Sequence, residues 1–445
     1  MPSTSHVFVS GRDRMAYVVI YQHAKGRLEA VSRRVFAAAV LGGTAAVALG
    51  GCSSGAAGPP GPSAKETGDG GVDEEEALAR AYTFLDRRVD EAAGGARQGL
   101  PRSYTGGWME RHHSTVAFTY DVALTVIAYC ARGNETDLRR AGALAGTLLA
   151  LQEGDAAGDG RIRQSYASGR VTAAGGLPAV AAAGSFTGAQ AWTGLALLHV
   201  HRAAGGTPYL AGARRLAAWI QDHTASATGT PGYTGGLPAS GPPLTWKSTE
   251  HNIDVAAFFR RLADVGGDRA WADRSAVATG FLDALWDAEG PAFWTGTGTD
   301  GATVNRSPVP EDPQSWSFLA TGEARHAGSL DWALDHLAAE DGGFSGVSVS
   351  DADTSKVWFE GTAHMAAALR RRGGDGDGER ADRLLATLRA AQADAPNADG
   401  YGIVAASSDG LRTGDGDTLY ASLHTGTTAW FALAGLGADP FLLDA

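Results

Sequence analysis

From about residue 73 the chain alternates between two kinds of apolar pattern, and this alternation restricts the possible fold more than any other feature. One kind is amphipathic. In "DLRRAGALAGTLLALQ" (137–152), Leu138, Ala141, Ala145, Leu148 and Leu151 form one stripe at helical spacing, with Arg139 and Arg140 off it. In "GERADRLLATLRAAQ" (378–392), Ala381, Leu384, Leu385, Leu388 and Ala391 do the same, and similar segments lie near 73–93, 208–223, 269–287 and 328–340. The other kind is apolar nearly all round after a polar first turn. It comprises "TYDVALTVIAYCA" (119–131), "GAQAWTGLALLHV" (188–200), "TEHNIDVAAFF" (249–259), "PQSWSFLATGE" (313–323), "VWFEGTAHMAAAL" (357–369) and "LHTGTTAWFALAG" (423–435). A helix apolar on every side must be covered on every side. Six of each kind, strictly alternating, are satisfied by two concentric rings in which outer helices sheathe inner ones. The pattern therefore predicts an all-α (α/α)6 barrel, a toroid of six helical hairpins, occupying 73–445. Inner helices are expected near 115–132, 187–204, 248–265, 313–325, 356–372 and 419–436. Strand signals are scarce, because no sustained β-branched alternation occurs.

The first 51 residues do not belong to that pattern. Arg33–Arg34, an apolar run rich in Gly and Ala, and then Leu49-Gly50-Gly51-Cys52 read as a twin-arginine export signal ending in a lipobox-like tetrad. Cys52 is the expected lipidation site, and Met15 is a candidate start within the long leader. Residues 52–72, rich in Gly, Pro and Ser, form the expected tether. The protein is thus expected outside the cytoplasm, as a monomer anchored to the membrane by its N-terminal lipid. Cys130 is then the one remaining cysteine, a small buried hydrophobe with no disulfide partner. A formal net charge of −12 argues against nucleic acid as a partner.

Several chemistries lack their motifs. "GGDGDGER" (373–380) and "NADGYG" (397–402) have Asp/Gly spacing reminiscent of calcium loops, but neither has the twelve-residue register with its terminal Glu. No Cys/His spacing suggests zinc, and no phosphate-binding or dinucleotide fingerprint occurs. Neither DDxxD nor DxDD is present, which removes the terpenoid-cyclase toroid. No cofactor and no metal are expected.

Twelve alternating helices, with polar and aromatic residues at the starts of the inner ones, resemble the six-hairpin glycosidase superfamily over roughly 75–445. The resemblance implies that the first turns of the inner helices converge on a cleft that binds a poly- or oligosaccharide. It implies hydrolase, polysaccharide lyase or sugar epimerase chemistry, since the fold hosts all three. The residues brought to that rim would be Tyr120 and Asp121; Gln190 and Trp192; Trp246, Glu250, His251 and Asp254; Asp312, Gln314 and Trp316; Trp358, Phe359, Glu360 and His364; and Tyr420 and His424. Carboxylates and imidazoles hydrogen-bond sugar hydroxyls, and apolar sugar faces stack on rings.

Glycoside hydrolysis needs two carboxyl groups, an acid for the leaving oxygen and a base or nucleophile opposite. The candidates are Glu250, Asp254, Asp121 and Glu360. Glu250 and Asp254 sit at i and i+4 on one helix face, side by side. Glu250 paired across the cleft with Asp121 or Glu360 is the better geometry. The helix dipole favours an ionised Glu250, whereas burial beside Trp246 favours the protonated form that a general acid needs. Trp246 and Trp358 precede inner helices and are the expected stacking platforms; Tyr120, Asp312, Trp316 and the histidines would complete substrate binding. His251, His364 and His424 also open proton transfer at carbon, the lyase or epimerase route. A silent glycan-binding lipoprotein on the same scaffold is the alternative outside enzymology.

Overall fold

A computed structural model describes residues 73–112, 114–172 and 176–443. The expected signal with Arg33, Arg34 and Cys52, and the expected tether, lie outside the described residues. Thirteen α-helices occur among the described residues: α1 (Glu74–Glu91), α2 (Gly107–Arg111), α3 (Thr119–Arg132), α4 (Glu135–Glu153), α5 (Thr187–Ala204), α6 (Thr207–Thr224), α7 (Thr249–Gly266), α8 (Arg269–Leu285), α9 (Asp312–Thr321), α10 (Gly328–His336), α11 (Phe359–Arg372), α12 (Asp377–Asp394) and α13 (Thr425–Leu436).

Helices α3, α5, α7, α9, α11 and α13 each pack on the next, and α13 returns to pack on α3. They form a closed inner ring. Each inner helix from α3 to α11 packs on the outer helix that follows it, while α13 is covered by α1 from the start of the domain. The sixth hairpin is therefore assembled from the two ends of the domain, and this contact closes the toroid. The burial follows the two patterns. Every residue of α3 from Thr119 to Cys130 is buried. In the outer α12, Ala381, Leu384, Leu385, Leu388 and Ala391 are buried along one stripe.

Strands are present but are only two to four residues long. That is too short for a period-two pattern to show in sequence. They still matter, because each inner helix starts from one of these β elements. Val116–Phe118 leads into α3, Ser185–Phe186 into α5 and Leu423–His424 into α13; single bridges at Ser248, Pro310 and Trp358 precede α7, α9 and α11.

A repeated clamp sets the height of these starts. Thr119, Thr187, Thr249 and Thr425 each open an inner helix. Their hydroxyls donate to the carbonyls of Arg163, Thr234, Trp294 and Arg102 at 2.5–2.8 Å. Their backbone N–H groups donate to the next carbonyl along, those of Gln164, Gly235, Thr295 and Ser103. Three buried amides do a related job. Gln190, Asn252 and Gln314 each exchange two hydrogen bonds with the backbone of Ile162, Tyr233 and Phe293 respectively. Gln190 and Gln314 belong to the loop clamps, because these bonds use their amides on backbone and not on a ligand.

The barrel axis is filled by aromatic rings. Trp192, Trp316 and Trp430 lie edge-on or stacked at 5.2–6.0 Å between centroids. Phe441 abuts Trp192 and Trp316 from below at 4.9 and 5.7 Å. Phe441 belongs to the segment after α13, which runs across the C-terminal ends of the inner helices. There the Pro440 carbonyl accepts from His199 Nε2 at 2.9 Å. Cys130 is buried and free, as its apolar surroundings in sequence suggest. No helix among the described residues is long and apolar enough to cross a membrane.

Candidate active site

Six carboxyl groups gather above the tryptophan floor, at the mouths of four inner helices. Asp121 comes from α3, Glu250 and Asp254 from α7, Asp312 from α9 with Glu311 just before it, and Glu360 from α11. None is more than 5% exposed, and among the described residues none forms an ion pair with lysine or arginine. Three histidines lie among them. Three groupings result.

In the first, His424 lies between two acids, with Nε2 3.3 Å from Asp121 Oδ1 and Nδ1 3.2 Å from Glu360 Oε2. Its ring stacks on Tyr104 at 4.3 Å. Burial alone would push this imidazole down; the charges of Asp121 and Glu360 outweigh it and raise His424 to about 9. The Thr427 N–H donates to its Nδ1 at 3.2 Å. Glu360 also accepts from Tyr120 Oη at 2.9 Å and from Thr427 Oγ1 at 3.4 Å, while Trp430 Nε1 donates to Tyr120 Oη at 2.8 Å.

In the second, His364 Nδ1 lies 3.1 Å from Glu311 Oε2 and 3.4 Å from Asp312 Oδ1, and its Nε2 lies 3.8 Å from Glu360 Oε1. Trp316, Trp358 and Trp430 surround this ring at 4.3–5.2 Å. Burial pushes His364 down to about 3, against the opposing pull of Glu360. Burial and the neighbouring acids hold both Glu311 and Asp312 well above the carboxylate range.

In the third, Glu250, Asp254 and His251 line a small pocket with Tyr120, Gln164 and the rings of Phe118, Phe186 and Trp192. Burial raises Glu250 well above the carboxylate range, reinforced by the charges of Asp254, Asp415 and Glu360. Burial likewise raises Asp254, reinforced by Asp312; the Trp192 indole opposes this without reaching hydrogen-bond geometry. Desolvation thus prevails over the helix dipole at Glu250. Burial pushes His251 down to about 4, so its ring is neutral, and its Nδ1 has no hydrogen-bond partner. Gly188 makes room for the group: a Cβ there would lie 2.7 Å from His251 Cδ2 and 3.0 Å from Asp254 Oδ2.

The pocket encloses about 30 Å³. That holds one or two waters and is far below the roughly 300–1,000 Å³ of a small-molecule site. Of the six acids, only Glu250 and Asp254 line this narrow pocket. Trp246 and Trp358 are each 6% exposed. Trp246 packs with Phe186 and Leu244, and Trp358 with Val349, Ala406, Leu411 and Leu419. Neither is presented as an open stacking platform. Trp316 lies in the floor, 2% exposed. Asp121, Glu360, Tyr120 and His424 are brought together, as are Glu250, Asp254 and His251, and Asp312 joins His364. Sequence reasoning missed Glu311. Its signal was its place beside Asp312, immediately before the helix-starting Pro313, in a segment read as loop. Tyr104 and Thr427 were also missed; each acts through His424 or Glu360.

No family model matches the chain, and no curated protein matches it. Solved structures do. Cellobiose 2-epimerase from Bacillus thermoamylovorans superposes with a TM-score of 0.61 at 11% identity, covering 81% of this chain and 98% of that one. A D-mannose isomerase gives 0.60 at 10% identity, covering 81% and 95%. A family 76 α-mannanase from Bacteroides thetaiotaomicron gives 0.56 at 10% identity, covering 83% and 96%. What this chain shares with all three is the fold, an (α/α)6 barrel.

Proposed function

We propose that the chain is a carbohydrate-active enzyme, and specifically a glycoside hydrolase. The observation that carries this reading is a proton-holding acid beside an acid ringed by donors. Glu250 is buried, and burial pushes its carboxyl well above the carboxylate range, towards the state a general acid needs. Tyr120 lines the same pocket and donates to Glu360, where His424 and Thr427 also converge. In this reading Glu250 gives its proton to the glycosidic oxygen as the bond to the leaving sugar breaks. Glu360 then takes a proton from the attacking water or forms the bond to the sugar carbon itself. The cellobiose and mannose enzymes and the mannanase that share the fold support a sugar as substrate.

The test is incubation of the purified protein with a panel of oligo- and polysaccharides. New reducing ends that disappear in Glu250→Gln support the hydrolase. Unsaturated products would replace it with a lyase.

One observation favours a second reading, a sugar epimerase or isomerase. His251 is neutral with a free Nδ1 and faces the same pocket as protonated Glu250. A base and an acid about one small space suit proton removal and return at carbon. Deuterium from solvent incorporated into a sugar C–H, without chain cleavage, would select this reading over hydrolysis.

We further propose export by the twin-arginine route, with Cys52 as the lipid anchor and the barrel acting as a monomer outside the cytoplasm. Changing Arg33 and Arg34 to Lys should block export, and Cys52→Ala should release the protein from membranes. Retention of Cys52→Ala would argue for an uncleaved anchor.

A further inference from the structure

Glu311, Asp312 and His364 each offer one ligand atom within 4.8 Å of the other two, and all three residues are buried. The spacing between His364 Nδ1 and the two acid oxygens, 3.1 and 3.4 Å, is that of neighbouring donors around one ion of this size.

Three independent observations point to a cation there. The first is unmet polarity. Glu311 Oε1 and both Asp254 oxygens are fully buried without a hydrogen-bond partner. Asp254 is in the same cluster, with Asp312 the strongest electrostatic influence on it. The second is pairing. Glu311 and Asp312, at most 2% exposed, meet no lysine or arginine among the described residues, and both lie against the same imidazole nitrogen, His364 Nδ1. The third is the far side of the imidazole. His364 Nε2 faces Glu360 Oε1 at 3.8 Å. A metal-bound histidine usually directs its other ring nitrogen at a carboxylate, which fixes the ring and raises its basicity.

We propose that Glu311, Asp312 and His364 bind one divalent first-row metal ion, with Glu360 as the outer-sphere partner of His364. Two carboxylate oxygens and one imidazole nitrogen, with no thiolate, favour Zn²⁺ or Mn²⁺ over Mg²⁺ or Ca²⁺. Three protein ligands leave coordination positions for water or a sugar hydroxyl. No metal motif marks this set in sequence, because the ligands come from two helices about fifty residues apart. The proposal does not depend on the hydrolase reading, since ion binding is measured without substrate.

The experiment uses the purified full chain, stripped with chelator and dialysed against Zn²⁺ or Mn²⁺ alone, with bound metal counted by elemental analysis. One equivalent is expected, with Zn²⁺ held more tightly than Mn²⁺ and Mg²⁺ weakest. Affinity should fall at least 100-fold in Glu311→Gln and in His364→Ala, and about 10–100-fold in Glu360→Gln. Failure to bind a stoichiometric ion would overturn the site, and so would an ion retained unchanged in Glu311→Gln and His364→Ala. Should those variants fail to fold, pulsed electron resonance of the Mn²⁺-loaded wild type decides. Coupling to a single imidazole nitrogen supports the site, and absence of any nitrogen coupling overturns it.

Discussion

At the N-terminal ends of the inner helices, six buried carboxyl groups meet no arginine or lysine among the described residues; at the other end, deeply buried acids meet arginines. Arg132 closes α3 and pairs with Asp137 at 2.5 Å, in the first turn of α4. Arg372 closes α11 and pairs with Asp377 at 2.7 Å, in the first turn of α12. Each pair spans a helix-ending glycine, Gly133 or Gly373, with φ of 68° and 61°. Both ends obey the macrodipole, with acids near N-termini and arginines near C-termini. They differ in what the charge is for. The far end spends its ion pairs on holding the turn between inner and outer helix. Apart from His424 beside Asp121 and Glu360, the rim gives its acids no cation among the described residues, an arrangement poor for stability and suited to proton transfer or ion binding.

The largest expected effect separates the two ends by rate. With a substrate in hand, Glu250→Gln should lower turnover by about 10²–10⁴-fold, while Arg372→Ala should leave it within a few-fold. Steady-state kinetics on both decide; near-normal turnover by folded Glu250→Gln would remove Glu250 from the chemistry.

Stability should show the reverse order. Arg372→Ala leaves the buried Asp377 with the Gly374 N–H and with Arg380 at 3.6 Å, and should cost about 1–3 kcal/mol. Glu250→Gln removes a buried ionisable group and should leave unfolding unchanged or slightly harder. Chemical denaturation measures both, and equal losses would erase the distinction between the ends.

The pH dependence sharpens it further. His199 at the far end is pushed by burial down to about 4, only partly offset by the Pro440 carbonyl. Its folded value lies below the unfolded 6.5, so its contribution is present above pH 6.5 and lost as pH falls towards 4. His424 at the rim is raised to about 9, so its contribution is present below pH 6.5 and lost as pH rises through 9. Each is worth on the order of 3 kcal/mol. Stability measured from pH 4 to 9.5 should lose part of its acid-side slope in His199→Gln, with His251 and His364 supplying the rest, and its alkaline-side slope in His424→Gln. The same slope responding to both variants would contradict the assignment.

The smallest effect tests the clamps. Thr249→Val removes one buried hydroxyl donor to the Trp294 carbonyl and should cost about 1–2 kcal/mol in thermal or chemical unfolding. No measurable loss would mean that the backbone bond from Thr249 N–H to the Thr295 carbonyl holds the helix start by itself.

The twelve helices of the two rings were legible from the sequence alone. The reason is local: a helix covered on one side repeats its apolar residues every 3.6 positions, whereas one covered on all sides shows no polar face. The polar first turns were legible too, because polar residues interrupt apolar runs only where something holds them. Tertiary structure decided how those turns are used. Gln190 and Gln314 look like ligand-binding residues in sequence but are committed to the backbone of the loop that precedes their own helix. Trp246 and Trp358 look like platforms but turn sideways into small apolar clusters. Glu311 looks like loop but joins His364 from another helix. Whether Glu250 holds a proton also depended on the fold. The helix dipole acts within one turn of chain, while desolvation depends on every neighbour that excludes water. Periodicity along the chain fixes which side of a helix is covered. Which carboxylate meets which histidine depends on how six hairpins close into a ring, and that closure rests on α1 meeting α13 across the whole length of the domain.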